Sequence, residues 1–580
     1  LDFCITHSFE LGIIIIFSLF WGFFFFRSFN IDQDMINISY AVHSDFGAHL
    51  ASIRSFSLGS NFPTQYPHFA GELAGYNNIR YHFFFMFLSG NLEFLGMRLD
   101  WAFNLPSLLA IISFIMLLYS FTTLLIGKRI VSLITLLLFT FRSSFAFFIY
   151  ISDKIAEKGA FDTAFSKIIF AFQKIINVGE EPGQIGLMIG RTPYESWGIW
   201  ALKVYTNKRH FAFTLALMML VLIFVLPMFK KMISSFNRSD FEGLNIKEKI
   251  SVFIKKILGG KDSWLASNIY SSLIIGIILG ASSFWNGSAF LSVISILFVI
   301  AIFSKHRLNH VIIACPAVLI AFIQSKFFTG GTGVKVKSHL GYVAGKDLKD
   351  FLLLPAEDSI FESFIYYFKF IFSYIPQNFS EFLGFLKNVF LYYYELLGFL
   401  PLAVLIGVIL APKRTRLLAL VFFAPFALAN LFTFSIEATS NHVIIIISII
   451  LLNIFVANLI YKIFTIKNKE LSSIVFIATI IIFSFGLWIL SGVGQPNNVM
   501  IFILPVFFIL LLCVIIIRLL KDFSLTTFKL NSFAVSSAII ILLVLTMTGV
   551  MDVIGHYNTD KYSPEIKIKD SLIEFVVNET

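Results

Sequence analysis

Residues 43–69 read HSDFGAHLASIRSFSLGSNFPTQYPHF and gather one Asp, three His and one Arg. Side chains of these types move protons, or hold phosphates and metal ions. A helix over 43–58 puts Asp45, His49 and Ser52 on one face, at spacings of four and three. Ile53 and Phe56 fall on another face, which makes the helix amphipathic, with a polar strip turned toward water or a cavity. Asp45 and His49 then suit acid–base or metal chemistry, and equally a hydrogen-bonded pair that fixes a loop. Arg54 suits a phosphate or a snorkelling role. His43 and His68 read as ordinary interfacial residues.

The elements that must position these groups belong to a membrane protein. Of 580 residues, 58% are hydrophobic, 72 are Phe, and 13% are charged, against roughly 25% charged in a soluble domain. Apolar runs of spanning length recur, continuous rather than alternating, which selects helices over barrel strands. The expected class is an all-α polytopic membrane protein of about 13 helices. Their spans are 11–26, 103–126, 130–150, 209–229, 266–285, 287–304, 309–328, 386–411, 417–435, 442–464, 472–490, 498–517 and 533–551. The net charge of +10 does not imply nucleic acid, because the basic residues sit in particular connections. Cys4, Cys315 and Cys513 are scattered, and suggest neither a metal site nor a disulfide framework. The run at 11–26 precedes no small-residue cleavage site and reads as a retained helix.

Connections after the even-numbered helices are basic: Lys128 and Arg129, then Lys230 to Lys261, Lys305 and Arg307, Lys413 to Arg416, Lys462 to Lys469, and Arg518 to Lys529. The opposite set includes tight polar turns, such as Trp285-Asn286 and Ser491 to Asn498, nearly free of Lys and Arg. The positive-inside rule therefore puts the N-terminus in the cytoplasm and the tail 552–580 outside; the chain is expected to continue past residue 580. The whole transmembrane domain, 1–551, carries three long outer loops at 27–102, 151–208 and 329–385, long enough to bear function. The basic, amphipathic inner loop 230–264 suits anionic headgroups.

In the first outer loop, Asn61-Phe62-Pro63 and Tyr66-Pro67 force an extended, turning course. The Phe-rich piece at 81–95 is too short to span and lies in the interface or dips into it. The second outer loop starts with a mixed-charge helix over 152–176. It ends in Asn207-Lys208-Arg209-His210 at the mouth of the fourth span. Lys208, Arg209 and His210 suit a lipid-linked phosphate, or an interfacial anchor. The third opens TGGTGVKVKSHLGYVAGKDLKD, whose spacing fits no P-loop.

The order of a first helix, a long outer loop with an early acidic residue, and then RLDWAFNLPSLLAIISFIMLLYSFTTLLIGKR resembles the GT-C superfamily of integral-membrane glycosyltransferases. Leu105-Pro106-Ser107 and Gly127-Lys128-Arg129 carry the match around the second helix. Within that superfamily, Asp45, His49, Arg54, Pro63 and Pro67 resemble the first outer loop of oligosaccharyltransferase catalytic subunits. The resemblance covers roughly residues 10–130. The Trp-Trp-Asp-Tyr-Gly motif of those subunits does not occur. Their second acidic pair has counterparts by position alone, at Asp153, Glu157 and Asp162.

The resemblance implies a GT-C-like fold and transfer of a sugar from a polyprenyl-phosphate or polyprenyl-diphosphate donor to an acceptor on the non-cytoplasmic face. Asp45 would be the base, or hold a divalent cation (Mg2+ or Mn2+), with His49 in support. Arg54, Lys208, Arg209, His210, Lys335 and Lys337 would contact the donor phosphate. His339 is a further phosphate candidate, and Glu357, Asp358 and Glu362 lie toward the acceptor. Partners would be the lipid-linked donor, membrane lipids and other membrane subunits. Two other readings stay open: a non-catalytic subunit that kept the fold, and a transporter or flippase. A transporter would need charges buried mid-helix and broken helices.

Overall fold

The computed structural model describes residues 7–59, 82–157, 164–178, 202–234, 242–258, 264–328, 337–338, 379–434, 441–492, 531–559 and 563–567, apart from single positions within them, together with 61 and 67. In chain order the first elements are α1 (Ser8–Ser28), β1 (Phe29–Asp32), β2 (Met35–Ile38), α2 (His43–Ser57), α3 (Phe84–Phe94) and α4 (Leu99–Ile126). Next come α5 (Arg129–Thr140), α6 (Ala146–Glu157), α7 (Ala164–Ile176), α8 (Leu202–Asn207), α9 (Arg209–Ser234) and α10 (Ile246–Leu258). They are followed by α11 (Ile269–Ser282), α12 (Gly287–Phe303), α13 (Arg307–Ile323, ending in a π turn to Phe328) and β3 (Lys337–Ser338). The rest are α14 (Phe379–Leu397), α15 (Leu400–Leu410), α16 (Lys413–Leu431), β4 (Phe432–Thr433), α17 (His442–Phe464), α18 (Lys469–Gly492), α19 (Ser532–Thr559) and β5 (Glu565–Lys567).

The protein is an all-α polytopic membrane protein. Among the described residues, seven helices are long and apolar enough to cross a bilayer, or eight if a bent pair counts as one. Four more apolar helices are shorter, among them α5 and α11. The predicted span 498–517 lies outside the described residues, and the expected total of thirteen is not reached by these measures.

Strand pairing places connections on common sides. The hairpin β1–β2, just after α1, pairs antiparallel with β5, just after α19 (Ile36 opposite Ile566). β3, after α13, pairs with β4, after α16. Trp264 bridges to His306, joining the connections that precede α11 and α13. Each join links two connections that the charge pattern assigns to one side.

Packing centres on α17, which is buried along nearly its whole length. Trp21 of α1 meets Phe139 at 6.3 Å and Tyr205 at 5.6 Å between ring centroids, and is fully buried. Such contacts tie α1, α5 and α8 together.

Two predicted spans are broken. The run 130–150 divides at 141–145, where Phe141 to Phe145 leave the helix. Backbone groups freed at membrane depth need partners, and the neighbours supply them. Thr548 Oγ1 donates to Ser144 O at 2.9 Å, Gly549 N donates to Arg142 O at 3.2 Å, and Ser143 Oγ donates to Leu397 O at 2.8 Å. The run 386–411 divides into α14 and α15, bent by 91° where Gly398 takes φ +61°. α19 also continues to Thr559, two turns past the predicted boundary at 551, so the expected tail begins inside a helix.

Arg142, in the first break, donates Nε to Asp552 Oδ2 of α19 at 2.5 Å, with both side chains buried. The approach is close enough that a Cβ on Gly549 would fall 2.5 Å from Phe141 Cα. Gly549→Ala is expected to cost about 1–3 kcal/mol, as overpacking does, read as a lower melting midpoint in detergent micelles. An unchanged midpoint would refute the close packing.

Candidate functional site

α2 is held by its inner face. Val42, Phe46, His49 and Ile53 recur at helical spacing and are all buried. Phe46 packs edge-on against Phe29 (5.8 Å) and Phe103 (5.4 Å), fixing α2 across the end of α1 and the start of α4. Burying Phe46 and Ile53 contributes about 1.5–3 kcal/mol each. Asp45 sits in the first turn and Arg54 in the last, each favourably placed for the helix dipole. The predicted helix 43–58 is found at His43–Ser57, but His49 lies on its buried face with Phe46 and Ile53 and not on a polar strip with the exposed Asp45.

Asp45 is exposed beside this buried face, and its Oδ2 accepts from Asn207 Nδ2. Asn207 ends α8, and Lys208 forms a one-residue joint before α9 begins. Lys208 lies within the field of the Asp45 carboxylate. Burial pulls its ammonium below the ordinary lysine value, and Asp45 opposes that shift without cancelling it. A cation in so dry a place binds an anion strongly, because little solvent screens it.

Two histidines adjoin the joint. His82, just before α3, lies 5.2 Å from His210 between ring centroids, and His49 is within electrostatic reach of His210. Burial, helped by the Lys208 charge, lowers the His82 pKa to about 4. Its imidazole is therefore neutral at pH 7 and has one N–H to donate. Below about pH 6.5 an unfolded His takes up a proton that folded His82 refuses until about pH 4. Stability should fall by up to about 1.4 kcal/mol per pH unit as pH drops through that window. His82→Gln should flatten the slope in an unfolding scan from pH 7 to 4; an equal slope in the variant would contradict this.

Arg209, next to Lys208, points the other way. Arg209 opens α9 and is 1% exposed. It stacks over Phe25 at 4.0 Å and Phe103 at 5.3 Å, and donates to Thr206 O and Phe25 O. It anchors the α8–α9 joint to α1, beneath the site. Arg54 lies at the far end of α2, about 13 Å from Asp45 at 1.5 Å per residue. It pairs with Glu93 of α3 at 2.8 Å, while Ser57 Oγ donates to the same carboxylate at 2.6 Å.

The structure thus brings Asp45, His49, Lys208 and His210 together around Asn207 and His82, and turns Arg209 and Arg54 to other partners. Lys337 pairs through its backbone with Thr433. Lys335, His339, Asp162, Glu357, Asp358 and Glu362 lie outside the described residues. No group of three or more His, Cys, Asp or Glu suited to a metal occurs among the described residues. The Asn207 amide and the Lys208 ammonium adjoin Asp45.

No family model and no curated protein matches the sequence. Among solved structures, the apo crystal structure of ArnT from Cupriavidus metallidurans matches over 96% of this chain and 78% of that one. The identity is 11% and the TM-score 0.41.

Proposed function

We propose that the chain is a GT-C-like membrane glycosyltransferase using a polyprenyl-phosphate or polyprenyl-diphosphate sugar on the non-cytoplasmic face. The observation that carries this reading is a carboxylate, Asp45, braced by Asn207 beside the half-buried ammonium of Lys208, where α9 enters the bundle. A greasy donor brings its anomeric carbon to such a rim. The acceptor hydroxyl or amide attacks that carbon while Asp45 takes its proton. The bond from the anomeric carbon to the phosphate oxygen breaks, and its electron pair leaves with the phosphate. Lys208 offsets the charge that grows on that oxygen. No step runs through Mg2+ or Mn2+.

Lys208→Met in liposomes holding a radiolabelled polyprenyl-phosphate sugar should raise the donor KM about tenfold or more, because a charge-assisted contact is worth about 1.5–3 kcal/mol. A KM within twofold of the parent would remove Lys208 from donor binding.

One observation favours a second reading, a transporter. Arg142 and Asp552 form an ion pair buried in the bundle beside a broken helix. The close fit of Gly549 against the break instead makes the pair a lock between helices. Flux of a lipid-linked sugar across sealed vesicles, without transfer, would support transport.

A further inference from the structure

A second region, at the opposite end of the bundle from Asp45, holds a cleft of about 470 Å³. That volume lies in the range of ligand pockets. Its walls come from α15, the end of α17, the first half of α18, and the middle of α19. Among the described lining residues, Thr479 and Lys462 are the polar ones. Thr479 Oγ1 already donates to Val475 O at 2.7 Å, so the interior asks for no hydrogen bond. Leu402, Leu410, Leu471 and Ile482 stand 40–49% exposed along it, so the cleft opens sideways.

Its ends differ. One is closed by Phe399 and Phe483, whose rings meet at 5.6 Å. Behind them Tyr394 donates to Gly486 O at 2.7 Å. The other reaches the basic face of the bundle. There Lys462 donates to Leu410 O, and Arg416 donates to Ala411 O at 3.0 Å, so two exposed cations bracket the last turn of α15. Lys467 and Lys469 follow, with Glu470 beside them. From Leu471 to Phe483 the wall runs about 18 Å at 1.5 Å per residue, close to half of a hydrocarbon core of about 30 Å.

We propose that this cleft holds one acyl chain of an anionic phospholipid, with its phosphate between Lys462 and Arg416. An apolar groove closed at one end, open along its side and about one leaflet deep fits a single hydrocarbon chain. Cations at its mouth, on the side that faces anionic lipid, fit the headgroup. The site is separate from the Asp45 cluster and stands whether or not the chain transfers sugars.

The full chain, purified in detergent, is titrated with phosphatidylglycerol or phosphatidylcholine of matched acyl chains and weighed by native mass spectrometry. The parent should hold one equivalent of phosphatidylglycerol at least tenfold more tightly than phosphatidylcholine. Ala478→Trp, which fills the cleft from its wall, should lose that equivalent. Lys462→Ser with Arg416→Ser alters exposed positions only, and should erase the headgroup preference while a chain still binds. Equal affinity of the parent for both lipids would overturn the proposal. So would undiminished phosphatidylglycerol binding by Ala478→Trp, or an intact preference in the double variant.

Discussion

Asp45→Asn should lower the turnover of sugar transfer by about 10²–10⁴-fold, the usual contribution of a general base. Asn keeps the size of the side chain and an oxygen that can accept from Asn207, so α2 and its buried face should stay in place. What is lost is the group that the proposed mechanism uses to take the acceptor proton. The effect therefore belongs in kcat, with the donor KM nearly unchanged, since Lys208 still faces the phosphate. Initial rates in liposomes, across a range of donor concentrations, separate the two. A variant that folds and turns over within twofold of the parent would leave Asp45 with the helix-start role that its first-turn position also explains.

The second large effect is on stability. Asp552→Leu should cost about 3–5 kcal/mol, because it strands the Arg142 guanidinium in a dry interior. The Arg142 side chain is 1% exposed and the Asp552 side chain 4%. Arg142→Met combined with Asp552→Leu should recover most of the loss, since a buried pair replaced by apolar groups of similar size is close to neutral. Melting midpoints of the two singles and the double form a cycle. A single variant as stable as the parent would mean that water reaches the pair.

Much of the architecture was written in the apolar runs. α1, α4, α9, α13 and α17 lie where continuous runs of spanning length predicted them, because covering the hydrocarbon is a local demand. The breaks were hidden. Arg142-Ser143-Ser144 interrupts a run that otherwise reads as one helix, and its partner Asp552 is 410 residues away. Nothing local connects them. The same limit applied at the site. Asp45 and Lys208 were each visible as charges among greasy neighbours, but their joining hangs on Asn207, 162 residues from Asp45. The role of Arg209 was invisible for a different reason. Adjacent basic residues look alike in sequence, yet Lys208 sits at the joint between α8 and α9 while Arg209, the first residue of α9, enters a nest of Phe rings.

The small sheet at the loop end of the bundle sets a timetable for biogenesis. The hairpin ahead of α2 gains its third strand only from Glu565–Lys567, and Ser563 Oγ accepts from Tyr40 N at 3.2 Å nearby. Arg27 at the end of α1 likewise waits for Tyr557. The edge strand of the first loop therefore stays unpaired while some five hundred residues are still being made. The hairpin ahead of α2 is made early and completed last, so a nascent chain stalled before residue 565 would carry Asp45 just after an unsupported hairpin.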